Sequence, residues 1–118
     1  MNELIQKVIE WANDRNIIQG STAIKQLDKT SEEFNELQRA VATIPYRQEC
    51  YIDLGYGPYA DDVYEDVDDA FGDILVTLII AAAILHRDLP TCLEKAYDVI
   101  KHRKGRLVGG KFLKESDL

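Results

Sequence analysis

Between Asp66 and Leu85 the chain reads DVDDAFGDILVTLIIAAAIL, a cluster of carboxylates running straight into an apolar block. From Ile74 to Leu85 only Thr77 interrupts the block. A helix built from it is apolar on every side and is expected to lie between other helices instead of on a surface. Its 12 residues fall short of the roughly 20 that span a bilayer, so no membrane span is expected. Asp73 stands at the mouth of the block. An ionised carboxylate there is costly to desolvate unless a cation or hydrogen-bond donor meets it, and Asp69 lies one turn earlier on the same face. Gly72 weakens a helix by up to ~1 kcal/mol relative to Ala, which suggests a close approach to the backbone there. The central buried helix is expected over 65–87, starting between Asp62 and Asp66, with Asp62 and Glu65 able to make a capping-box-like start.

Around this helix the chain divides at Gly, Pro and cap residues. Leu4, Ile5, Val8, Ile9 and Ala12 recur at helical spacing, predicting an amphipathic helix from about Asn2 to Asn16 with Trp11 as a core anchor. From Thr22 to Ile44, Ala23, Leu27, Phe34, Leu37, Val41 and Ile44 repeat by three and four, Thr30 fills the gap, and Pro45 stops the run. On that helix Lys29, Glu33 and Glu36 fall on one stripe beside the apolar face, with Gln26 at one edge and Glu32 at the other. Two or three of these carboxylates can converge on one point, which suits Mg²⁺ with its oxygen ligands. A solvated helix face with Glu at the same spacings is the plain alternative.

Residues Tyr46 to Tyr64 read as a long irregular connection holding five of the six tyrosines. These suit a lid that stacks on a base, a satellite cluster or a subunit contact. Pro90 opens a last helix with Leu93, Ala96, Tyr97 and Ile100 as its packing stripe, and Gly105 is placed to end it in a left-handed conformation. The remainder, 106–118, reads as a hairpin around Gly109 and Gly110 or as an extended arm. His86 and His102 are isolated and read as surface or helix-end residues.

Charge and size narrow the function classes. The 118 residues fit one soluble helical domain, 1–118, near the lower end of what builds a generous core alone, so association between protomers is expected. A net charge of −7 argues against nucleic acid or a membrane surface as partner. The charge is also segregated. Glu49 to Asp73 holds nine acidic residues and no Lys or Arg, whereas Lys95 to Lys114 holds seven basic residues against Asp98 alone. An acidic segment paired with a basic one suits a metal and an anionic ligand held together. Cys50 and Cys92 make neither a disulfide framework nor a zinc motif, and a reduced, cytoplasmic setting is the simplest reading. The first residues lack the apolar core of a signal peptide.

In order, the chain carries KTSEEFNEL (Lys29 to Leu37), DAFGDIL (Asp69 to Leu75) opening an apolar helix, and a basic ending KHRKG (Lys101 to Gly105). This combination resembles the MazG-like branch of the all-α nucleoside triphosphate pyrophosphohydrolases, over most of the chain from Trp11 to about Lys114. The resemblance implies an all-α four-helix bundle completed by dimerisation or tetramerisation. It also implies Mg²⁺ between the two acidic helices, with Mn²⁺ as a substitute, and hydrolysis of a nucleoside or deoxynucleoside triphosphate to the monophosphate and pyrophosphate in nucleotide-pool housecleaning. Glu33 and Glu36 match the first pair of metal ligands, with Glu32 completing EExxE, and Asp73 matches the aspartate of the second pair. Where relatives often carry a Glu three residues before that Asp, this chain has Ala70; Asp69, one residue further back on the same face, is assigned the role. Asp98 stands where many relatives have Asn. On this reading Glu32 or Glu33 orients or deprotonates the attacking water, and Lys29, Lys101, Arg103 and Lys104, with Gln26, bind the phosphates and leaving group. The competing reading is a non-catalytic helical module, binding nucleotide or protein, that keeps the bundle and has lost a metal ligand at Ala70.

Overall fold

The computed structural model describes residues 2–118. They form six helices and one short hairpin, in two compact units, residues 2–86 and Arg87–Leu118. The all-α expectation holds. In the first unit the elements are α1 (Asn2–Asp14), the single turn α2 (Ile17–Gly20), α3 (Ala23–Ala42), α4 (Ile44–Asp53) and α5 (Asp61–Ile84). Helix α3 starts where Thr22 caps it, its side-chain oxygen accepting from the Lys25 amide at 3.2 Å. It packs principally on α5, with α1, α2 and α4 on the flanks.

The core between these helices is made of small and β-branched residues. Val63, Val67, Ala70, Thr77, Ile80 and Ala81 line the buried face of α5, and Ala40 and Ala12 meet it from α3 and α1. Within that core the hydroxyls of Thr30 and Thr77 lie 2.8 Å apart. Each also lies within hydrogen-bond distance of a backbone carbonyl of its own helix, Gln26 and Ile74 respectively. One hydroxyl donates across to the other, which donates to its own helix, and neither is left unsatisfied.

Several expectations need correction. Pro45 does not stop helical structure. It sits in the first turn of α4, where the missing amide hydrogen is no loss, so the stretch read as an irregular connection opens with a ten-residue helix. Helix α5 begins at Asp61, after Ala60, with no side-chain cap; Asp61 and Asp62 lie in its first turn, where the helix dipole favours them. It ends before His86, whose φ of 56° turns the chain out of the helix. Nothing lies within 4 Å of a Cβ built on Gly72, so no close approach explains that glycine. Trp11 is exposed and stacks under the Arg15 guanidinium at 4.6 Å instead of anchoring the core. The all-round apolar helix is not covered on every side: Ile79 is buried away from the face of Val63 and Ala81, but Phe71, Leu75 and Leu85 remain open.

The second unit holds α6 (Leu89–Ile100), capped by Asp88 accepting from the Thr91 amide at 3.1 Å. A hairpin follows, β1 (Gly105–Val108) paired antiparallel with β2 (Lys111–Lys114). The expected packing stripe Leu93, Tyr97 and Ile100 is exposed. Gly105 does not end the helix, which stops at Ile100. Its role is in the hairpin, where an added Cβ would stand 2.6 Å from the Phe112 ring and closer still to the Leu113 carbonyl. Gly109 and Gly110, with φ of 58° and 80°, make the tight turn.

Candidate functional site

The acidic residues singled out on α3 and α5 come together where these helices pack. Glu33 is the decisive one. It is 8% exposed, and its Oε2 has no hydrogen-bond partner among the described residues. Burial pushes its proton affinity up, and the carboxylates of Glu36 and Asp73 push it further, against the pull of Lys29. Glu36 therefore acts on the buried Glu33 along α3, and Asp73 acts on it from α5 across the helix pair.

Glu36 and Asp73 also line a cavity of about 380 Å³, in whose wall Glu33 itself does not take part. Asp66, Asp69, Ala70 and Asp73 line it from α5, all on one face by their spacing of three and four. Glu36, Arg39, Ala40 and Thr43 line it from the end of α3, and Arg47 reaches in from α4. Arg47 forms an ion pair with Asp66, and Gln48 donates to the Tyr64 hydroxyl at 3.2 Å, so two side chains of α4 tie it to α5.

Asp73 itself is exposed, which corrects the expectation that apolar neighbours desolvate it. Phe71 and Leu75 beside it are half open, so the desolvated carboxylate of the pair of helices is Glu33 instead. Glu32 is exposed and holds Lys29 at 3.0 Å, while Lys29 lies 3.7 Å from Glu33. Those two carboxylates, Glu32 foremost, keep Lys29 more firmly protonated than usual. Gln26 is half-buried and donates to the Ser21 hydroxyl at 3.0 Å. Among the described residues no three His, Cys, Asp or Glu side chains form a ready ligand set for a metal ion.

Lys101, Arg103 and Lys104 belong to the second unit. Lys101 pairs with Asp98 at 3.0 Å and lies over the Tyr97 ring at 5.7 Å. Arg103 and Lys104, with His102 and Lys114, line a concavity of about 530 Å³ at the root of the hairpin. Of the five tyrosines between 46 and 64, Tyr46, Tyr56 and Tyr59 are exposed, while Tyr51 is half-buried and meets the Tyr56 ring at 5.9 Å with the planes tilted by 59°.

Arg39 and Arg47 are cavity residues that the sequence pattern did not single out. Arg39 had a signal, standing three residues after Glu36 and so on its face of the helix. Arg47 had none, because its segment did not read as a helix.

No family model matches the chain, and no solved structure matches it. Among curated proteins it is similar to a protein of Haemophilus phage HP1 described as an uncharacterized 18.2 kDa protein in the rep-hol intergenic region. The two are 34% identical over 95 residues, which is 80% of this chain and 46% of the phage protein. The chain thus spans less than half the length of that relative.

Proposed function

We propose that this chain is a MazG-like pyrophosphohydrolase, hydrolysing a nucleoside or deoxynucleoside triphosphate to the monophosphate and pyrophosphate with Mg²⁺, in cytoplasmic nucleotide-pool housecleaning. The observation that carries the reading is Glu33, a buried carboxylate with an orphaned oxygen, beside two further carboxylates that raise its proton affinity. Burying such a group is costly unless a cation meets it. The donor type suits a hard divalent ion, being carboxylate oxygens from two facing helices. Among the described residues no three of them stand as a preformed set, so binding requires side chains to draw together. Glu33, Glu36, Asp69 and Asp73 would hold it, and Mn²⁺ has the same preference for oxygen.

Such an ion supplies charge neutralisation at the phosphates and a more acidic water. The chain's own groups do the rest. Glu33, or Glu32 at its side, takes the proton of a water whose oxygen attacks the α-phosphorus; the bond to the bridging oxygen of the β-phosphate breaks, and pyrophosphate leaves. Lys29, already in contact with both glutamates, supplies positive charge to the phosphates.

The active form in this reading is a homodimer or homotetramer. Exposed apolar residues recur seven apart at Leu4 and Trp11 on α1 and at Leu27, Phe34 and Val41 on α3, with Phe71, Leu75 and Leu85 on α5. Seven-residue spacing of this kind is the signature of a seam awaiting another helix.

The test is pyrophosphate release from a panel of nucleotides with Mg²⁺, comparing the native chain with Glu36→Ala and Asp73→Ala. Loss of release in both variants is the expected result; unchanged turnover removes the proposal. A second reading, a non-catalytic nucleotide- or protein-binding module, is favoured by Ala70, which lines the cavity without an oxygen to offer. Calorimetric binding of Mg²⁺ and nucleotide without turnover would select it.

A further inference from the structure

We propose that Arg39 and Arg47 form a clamp for the phosphate chain of a metal-chelated polyphosphate in the carboxylate cavity, an inference that rests on the pyrophosphohydrolase reading and adds to it the residues that grip the substrate. Four carboxylates line that cavity, Glu36, Asp66, Asp69 and Asp73, and Arg39 and Arg47 are the basic side chains set among them. The first unit as a whole carries six basic residues against sixteen acidic ones. A bare anion is therefore repelled. A polyphosphate that arrives with its divalent cation meets the carboxylates of Glu36, Asp69 and Asp73, which can draw onto the cation, and guanidinium groups for the phosphates beside them, while Asp66 is already held by Arg47.

The two arginines are available for such a ligand. Among the described residues no carboxylate lies within ion-pair distance of Arg39. Arg47 spends one terminal nitrogen, Nη2, on Asp66 and keeps the other donors of its planar fork. The Arg47 side chain is 26% exposed and Asp66 is 60% exposed. A pair with so open a partner contributes little by itself, so exchange of the Asp66 carboxylate for a phosphate costs little, and the half-buried guanidinium gains a stronger, charge-assisted bond. A volume of about 380 Å³ lies at the small end of ligand cavities. It suits the phosphate chain and its ion, with the base and sugar outside.

The competing account is that Arg47 only pins α4 to α5 through Asp66. Calorimetric titration of the intact chain with imidodiphosphate in excess Mg²⁺ separates the two. Arg39→Ala and Arg47→Ala are each expected to weaken binding by about tenfold, Arg47→Lys by less than Arg47→Ala, and Asp66→Ala not at all, with the helical circular dichroism of every variant unchanged. If Asp66→Ala weakens binding as much as Arg47→Ala, Arg47 acts by holding α4 and the clamp is wrong. If both arginine variants bind as the native chain does while Glu36→Gln loses binding, the clamp falls and the metal-dependent reading stands. If the native chain takes up no imidodiphosphate with Mg²⁺, that reading falls and takes the clamp with it.

Discussion

The hydroxyls of Thr30 and Thr77 meet at 2.8 Å across the α3/α5 contact. These are the two residues that break otherwise apolar patterns, one on each helix, and the breaks are partners. Each hydroxyl also has a carbonyl of its own helix in reach, so replacing one by valine removes the shared bond and leaves the other hydroxyl only its own helix to donate to. Thr30→Val or Thr77→Val is expected to cost about 1 kcal/mol in urea unfolding, and the double variant less than the sum of the two. Strict additivity would show that the hydroxyls do not interact.

Burial, with Glu36 and Asp73 behind it, raises the proton affinity of Glu33 in the folded chain. The folded state then holds this proton to higher pH than the unfolded state does. Stability contributed by the protonated form is full below the ordinary carboxylate range and is lost as pH rises through the raised folded value. In metal-free buffer, Glu33→Gln should melt above the native chain at pH 8, by a few degrees, and level with it at pH 4. A native chain whose melting temperature is flat across that range would contradict the burial argument.

Chelation should abolish pyrophosphate release, and Mg²⁺ or Mn²⁺ should restore it. In the absence of nucleotide, Mg²⁺ should also raise the melting temperature, because an ion that binds only the folded state stabilises it by mass action. Release that persists in excess chelator would rule out the carboxylates as an ion site.

The open apolar stripe on α3 predicts self-association. Light scattering at micromolar concentration should give two or four times 13.4 kDa, and Phe34→Glu, at the middle of the stripe, should reduce it toward one chain. A native mass of a single chain would refute the seam.

At the hairpin, Gly105→Ala places a methyl group against the Phe112 ring and the Leu113 carbonyl. Hydrogen exchange at the paired β1 and β2 amides should accelerate while exchange in α3 and α5 is unchanged.

Periodicity alone was enough to locate α1, α3 and the start of α6, and the glycine pair at 109–110 marked the turn while leaving hairpin and extended arm both open, because those signals are local: spacing, a cap, a turn residue with positive φ. The carboxylates of the candidate site were legible for the same reason, since residues three and four apart on a helix share a face in any fold. What tertiary structure alone decided is which carboxylate loses its water. Asp73 has apolar neighbours in the chain yet stays open, while Glu33, on a polar stripe, is buried where α3 meets α5. It also decided that Arg39 and Arg47 enter the cavity, and that Thr30 faces Thr77. Burial and encounter between distant residues depend on how two helices are rotated against each other, and no spacing within either helix carries that information.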